Sequence, residues 1–172
     1  GAWGQKLSEQ FGEPVPLDTH GPQMAVTEPV PYALPTVIGV YTKIPEEVIY
    51  FRQIARGNIV IGGGYRSKPD MLNRRAYVEP RSILNQVSQM RRLLPGVGNL
   101  NIIRVWSGIE GYLPDSLPVI GPSPNEPRMI YAFGHQHLGL TQAAITGEHI
   151  AGLARGQVLP GLAAYRLGRF AG

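Results

Sequence analysis

The sequence predicts an α+β fold built on a mostly antiparallel sheet flanked by helices. Three observations predict it. Residues Val48 to Gly64 carry the signature of a β-hairpin, Arg81 to Leu94 carry a helical apolar stripe, and turn residues punctuate the whole chain. There are 22 glycines and 16 prolines in 172 residues, well above the usual share of about 12%. With 43% apolar residues and no low-complexity tract, this means many turns and not disorder. The length suits one ordinary domain or two small ones.

The elements follow in order. Trp3, Leu7 and Phe11 are spaced by four, one face of a short helix that Gly12 can cap. Pro14 and Pro16 force extended chain, and Gln23 to Thr27 reads as a strand. Pro29, Pro31 and Pro35 make the next stretch a loop or an edge. In the hairpin, Val48 to Gln53 and Ile59 to Ile61 are β-rich runs around the turn Ala55-Arg56-Gly57-Asn58. Gly62-Gly63-Gly64 ends it. Without a following lysine-serine pair, and opening no helix, the triple glycine reads as close backbone packing and not as a phosphate loop. From Arg81 to Leu94, Ile83, Val87, Met90 and Leu94 share a stripe, with Gln86, Gln89 and Arg92 placed elsewhere. Pro80 suits the first position, and Pro95-Gly96 ends the helix. Asn101 to Trp106 and Met129 to Phe133 are strands. A second helix is expected over Gly139 to Arg155, with Ala143, Ala144, Gly147, Ile150, Ala151 and Ala154 packing closely and Gly156 capping it.

Composition excludes several functions. Net charge is only +4 and the longest basic clusters are the pairs Arg74-Arg75 and Arg91-Arg92, which is no nucleic-acid footprint. Cysteine is absent, which removes disulfides and thiolate metal sites. No apolar run approaches the length of a transmembrane segment and no signal peptide is evident, so a cytoplasmic location is expected. Only 16% of residues are charged, against a usual quarter or so, which suggests surface covered by another part or a partner.

Two segments stand out from ordinary core. In Trp106 to Gly121 a strand runs into Gly108-Ile109-Glu110-Gly111, then a Pro114-Asp115 turn and a second apolar run. In Phe133 to Gly147 a strand ends in Gly134-His135, a tight loop follows, and a helix opens with small residues. Free N–H groups and the helix dipole at such a start favour negative charge, and Gly139 lets a flat ligand approach the backbone. His135 and His137 invite a metal reading. At i, i+2 they would point to opposite faces of a strand with no carboxylate trio nearby, so loop histidines bonded to backbone compete with it. There is no G-x-S-x-G, and Glu110 with Asp115 is a weak acid–base pair because Pro-Asp is ordinary turn sequence.

At these segments the chain resembles the flavin-dependent amine and D-amino-acid oxidoreductases, the superfamily of glycine oxidase, D-amino-acid dehydrogenase and sarcosine oxidase. Trp106, Gly108, Pro114, Asp115, Pro118, Ile120 and Gly121 match its W-x-G-x-x-x-x-x-P-D-x-x-P-x-I-G stretch. Gly134, His135, Gly139, Thr146 and Gly147 match its G-H-x-x-x-G-x-x-x-x-x-x-T-G stretch. Gly1-Ala2-Trp3 resembles the end of a dinucleotide-domain strand, and Tyr165 to Phe170 the family's C-terminal F-x-x-x-R-F. The resemblance implies FAD as cofactor and a small-molecule amine or amino acid as substrate. It also implies a C-terminal half, because G-x-G-x-x-G is missing and Gly96-Val97-Gly98 lacks a third glycine. The expected division is 1–14 as the end of an FAD-binding segment, 15–104 as substrate domain, and 105–172 as strands and a helix completing the FAD-binding domain. An N-terminal half or partner chain would supply the rest.

The resemblance further implies that Gly108, Gly134, His135, Leu138, Gly139, Leu140 and Thr141 meet the flavin, with Gly139 and Leu140 at the helix start. It places Tyr50 in the substrate pocket, although a cross-strand packing role fits that tyrosine equally. Glu110 and His137 stand where such enzymes carry arginines that grip a substrate carboxylate. Either Arg52 or Arg104 then takes that acid, or Glu110 faces a cationic group of an amine, an opine or another secondary amino acid. A non-catalytic assembly subunit, or a small-ligand-binding domain without redox chemistry, are the competing readings.

Overall fold

The computed structural model describes residues 1–31 and 33–170. The fold is α+β with antiparallel sheets, and the chain divides into two compact units. One unit joins residues 1–19 to 110–172; the other is the continuous span 20–109.

The continuous unit is a five-stranded sheet of order β3-β4-β5-β2-β6 with one helix on it. Its strands are β2 (Gln23–Pro29), β3 (Ile38–Val40), β4 (Ile49–Gln53), β5 (Asn58–Gly63) and β6 (Ile102–Ser107), all paired antiparallel. β4 and β5 are the expected hairpin. Residues along β2 alternate buried and half-exposed, the period-2 pattern of a sheet covered on one side. The helix α2 (Pro80–Leu93) begins on its proline and lays Ile83 and Met90 against Ala25, Ile49, Phe51, Ile59 and Ile61. Gln86 departs from the expected pattern: it is fully buried, because its Nε2 donates to the carbonyls of Gln23 (2.9 Å) and Gly63 (2.8 Å). It thereby fastens the helix to the start of β2 and the end of β5.

The discontinuous unit holds α1 (Gly4–Glu9), β1 (Asp18–His20, whose last residue falls in the other unit), β7 (Glu110–Tyr112), β8 (Val119–Pro122), β9 (Ile130–Phe133) and α3 (Ala143–Ala154), followed by 3₁₀ turns at Pro160–Tyr165 and Leu167–Phe170. Its core gathers Val15, Leu17, Leu113, Val119, Tyr131, Phe133 and Leu167, with Tyr131 and Phe133 edge-on at 5.8 Å. Two expectations fail here. The Trp3 and Leu7 face of α1 is exposed. Gly4 and Ser8 are buried instead, because Gly4 lies against the Phe133 ring, where a Cβ would come within 2.5 Å. The small residues Ala143, Ala144, Gly147, Ala151 and Ala154 of α3 are likewise exposed; only Gly152 on that helix is buried.

A buried carboxylate ties this unit together. Glu13 is 4% exposed and accepts from Tyr131 Oη (2.6 Å), Ser123 Oγ (2.7 Å) and the Asn125 N–H (2.8 Å). Burial pushes its carboxyl up, and the three hydrogen bonds outweigh that and hold it below the usual carboxylate range. The Tyr131 phenol is pushed up to about 12 by burial and by its bond to Glu13.

Candidate functional site

In the discontinuous unit, β9 ends at Phe133 and delivers the loop 134–142. Gly134 is buried with φ +80°, and a Cβ there would come within 2.5 Å of Leu113 Cδ1, so only glycine turns the chain at this point. Gln136 also adopts a positive φ, +53°. His135 and His137 therefore sit in a turn beyond the strand and not on opposite strand faces. His135 Nε2 lies 3.1 Å from Thr146 Oγ1, which ties the loop to α3. Burial lowers its pKa, so the ring is neutral at physiological pH. His137, Leu138 and Leu140 are exposed, Leu140 by 93%.

The helix α3 starts at Ala143, a turn later than the sequence suggested, because residues 139–142 form turns. Its N-cap, Gln142, makes no side-chain cap, and no acidic residue stands in the first turn. Among the described residues, the N–H groups of Gly139, Leu140 and Thr141 donate to no acceptor. A Cβ at Gly139 would meet only His135 Cβ, at 3.6 Å. Gln136 Nε2 and Gln142 Oε1, at either side of these amides, are buried without a hydrogen-bond partner. Three open donors before an uncapped helix form a place for a flat, electron-rich group. This arrangement fits the anionic edge of a reduced flavin ring.

On β7 of the same unit, Glu110 and Tyr112 share one strand face, and Tyr112 Oη donates to Glu110 Oε2 at 2.6 Å. Gly111 between them faces the core, where a Cβ would meet Leu17 and Ala2 at 3.0–3.1 Å. Asp115 is not paired with Glu110. Arg169 donates to both of its oxygens (2.6 and 3.3 Å) and to the Leu117 carbonyl (2.6 Å), and the first of these bonds leads the effects that lower the Asp115 pKa.

Tyr50 and Gly108 belong to the other unit. There the register places Tyr50, Gly62, Met24 and Trp106 in one cross-strand row, and Arg52, Val60, Val26 and Arg104 in the next. Both rows lie on the sheet face opposite the α2 core, because Phe51, Ile61 and Ala25 form the alternating row. Gly62 lets Tyr50 and Met24 lie across it: a Cβ there would strike the Tyr50 ring and approach Met24 Sδ to 2.5 Å. Tyr50 Oη is 4.0 Å from that sulfur. The Arg104 guanidinium stands 6.0 Å from the centre of the Trp106 ring. At Gly108 a Cβ would meet nothing within 4 Å. Sequence reasoning did not find Met24, Gly62 and Trp106 as one surface. The alternation of β2 carried that signal, but the strand order it depends on is not local.

The class of protein is fixed by comparison. The family described as DAO, FAD dependent oxidoreductase, matches residues 1–153, and the chain belongs to that family. Among curated relatives, it is 31% identical over 162 residues to the hydrogen cyanide synthase subunit HcnC of Pseudomonas aeruginosa, covering 93% of this chain and 36% of that protein. It is 27% identical over 158 residues to a D-amino-acid oxidase of Bradyrhizobium diazoefficiens, covering 91% and 36%. The chain thus spans about a third of the length of these relatives. Glycine oxidase from Geobacillus kaustophilus shares the fold at a TM-score of 0.85 and 22% identity, over 100% of this chain and 44% of that one. L-Proline dehydrogenase from P. horikoshii does so at 0.84 and 21%, over 99% and 45%.

Proposed function

We propose that the chain is the C-terminal portion of a flavin-dependent oxidoreductase that oxidises an amine or an amino or imino acid. The observation that carries this reading is the run of open amides at Gly139, Leu140 and Thr141 before the uncapped α3. FAD held there would supply the hydride acceptor for the substrate carbon beside nitrogen, and water would hydrolyse the imine product to a carbonyl compound and ammonia or, from a secondary amine, a primary amine. The chain's own residues supply position and field. The three amides and the α3 dipole offer a positive end to the ring edge that gains negative charge. His135, neutral and tied to Thr146, holds the loop without adding a charge of its own. Gly134 and Leu138 complete the cofactor contacts proposed for this unit.

Glu110 is proposed to face the cationic nitrogen of the substrate, held in place by Tyr112, with His137 as a further substrate contact of this unit. An amine that arrives neutral needs no base, so no catalytic base is assigned.

The test is Leu140→Asp in the whole flavoprotein. Leu140 is 93% exposed in this chain, and the change places a negative charge at the open amides. The flavin midpoint potential is expected to fall and reduction by substrate to slow. An unchanged potential would remove the proposed cofactor site. Glu110→Gln is expected to raise KM for a cationic substrate, and unaltered kcat and KM would remove its role.

A further inference from the structure

Two unpaired cations stand on one sheet face. Arg52 on β4 and Arg104 on β6 occupy the same cross-strand row, three strand spacings apart, or about 14 Å between Cα atoms at the usual spacing. Val60 and Val26 form an uncharged floor between them, and the Tyr50–Met24 plate lies alongside. Both arginines are exposed, and neither makes an ion pair or hydrogen bond among the described residues. Arg104 leans over Trp106, toward the Tyr50 row, and so keeps its guanidinium edge open for a planar acid. The acid nearest along β2, Glu28, is turned away: its Oε1 accepts from the Asn101 side-chain amide (2.7 Å) and N–H (3.3 Å). The face is therefore cationic at both sides and apolar in the middle. Side chains as long as these, anchored about 14 Å apart, can reach the two ends of a short two-armed acid lying over the Val60–Val26 floor.

We propose that Arg52 and Arg104 grip the two ends of one substrate, a secondary amine whose two arms each carry a carboxylate. This deepens the amine-oxidising reading and rests on it. A monocarboxylate would satisfy one guanidinium and leave the other without a partner. A dicarboxylate gains a second charge-assisted pair, which is the source of selectivity.

The experiment is calorimetric titration of the whole flavoprotein with diglycolate, which carries an ether oxygen where the amine would be and cannot form an imine. Methoxyacetate is the one-carboxylate control. Diglycolate is expected to bind about tenfold or more tighter than methoxyacetate, the value of one added charge-assisted bond. Arg52→Gln and Arg104→Gln are each expected to reduce that preference to near unity, while Arg104→Lys restores part of it. Both positions are exposed, so thermal melts of the variants should match the parent. Equal binding of the two acids by the parent, or a preference that survives both substitutions, overturns the proposal. The flavin absorbance of the same sample reports separately whether FAD is held. Loss of the flavin reading and loss of the two-arginine reading are thus told apart.

Discussion

Replacing Glu13 should cost the discontinuous unit a large part of its stability. Glu13→Ala removes the acceptor for Tyr131 Oη and the Asn125 N–H, and one of the bonds of Ser123 Oγ. Ser123 Oγ still accepts from the Asn125 (3.2 Å) and Glu126 (2.9 Å) N–H groups, so the loop keeps part of its geometry. Tyr131, 2% exposed, loses the bond of 2.6 Å to the carboxylate and keeps only Ser123 beside its hydroxyl. Leaving a buried neutral donor without its acceptor costs about 1–3 kcal/mol, and with the Asn125 N–H still bonded to Ser123 the whole change should cost about 2–3 kcal/mol. Glu13→Gln retains an acceptor and should cost about 1–2 kcal/mol. The two tryptophans make the assay direct, since Trp3 lies in the discontinuous unit and Trp106 in the other. Urea unfolding followed by Trp3 emission in a Trp106→Phe background reads the affected unit. Because hydrogen bonding lowers the Glu13 pKa, its contribution is complete above the ordinary glutamate range and fades as pH falls through the folded value. The advantage of the parent over Glu13→Gln should shrink over the same acid range. A cost of Glu13→Ala below about 1 kcal/mol, or a gap to Gln that ignores pH, would refute the network as a source of stability.

Other expectations follow from the same physics. Gln86→Leu orphans the Gln23 and Gly63 carbonyls at a fully buried position and should cost about 2–4 kcal/mol in chemical unfolding read by Trp106. Gly62→Ala drives a methyl into Tyr50 and Met24, and should cost about 1–3 kcal/mol and shift the Tyr50 ring resonances in NMR spectra. His135 has its pKa lowered by burial, so the loop should loosen as pH falls from about 6.5 through the folded value. Amide exchange at residues 135–142 should rise over that range, and His135→Gln should remove the dependence.

Much of the fold was legible because its signals are local. The β4–β5 hairpin shows in two runs of β-branched and aromatic residues around Arg56-Gly57, and α2 in a stripe between Pro80 and Pro95. What the sequence could not reveal was decided by distant partners. The Trp3–Leu7 spacing describes a helical face correctly, but Gly4 is the residue that fits under Phe133, 129 positions away. Gln86 reads as surface until its two carbonyl acceptors are known. At the candidate site, the Gly134-His135 motif located the loop, while the delayed start of α3 left Gly139 to Thr141 as open amides before the helix and not as its first turn. The likeness of Arg52 and Arg104 as partners needed the strand order, which places residues 52 positions apart in one row.

The interrupted unit also constrains how the chain comes together. Residues 1–19 are made before any of 110–172, yet the two stretches pack into one unit. The span between them, about 90 residues, has its own core and can condense first. Closing an unstructured loop of that length would cost about 4 kcal/mol, and a middle that folds early shortens the distance to be closed. Asp18 and Tyr112 sit on neighbouring strands β1 and β7, so the insertion enters and leaves its host by adjacent threads. Such a host tolerates change in the length and content of its guest as long as the two threads stay side by side.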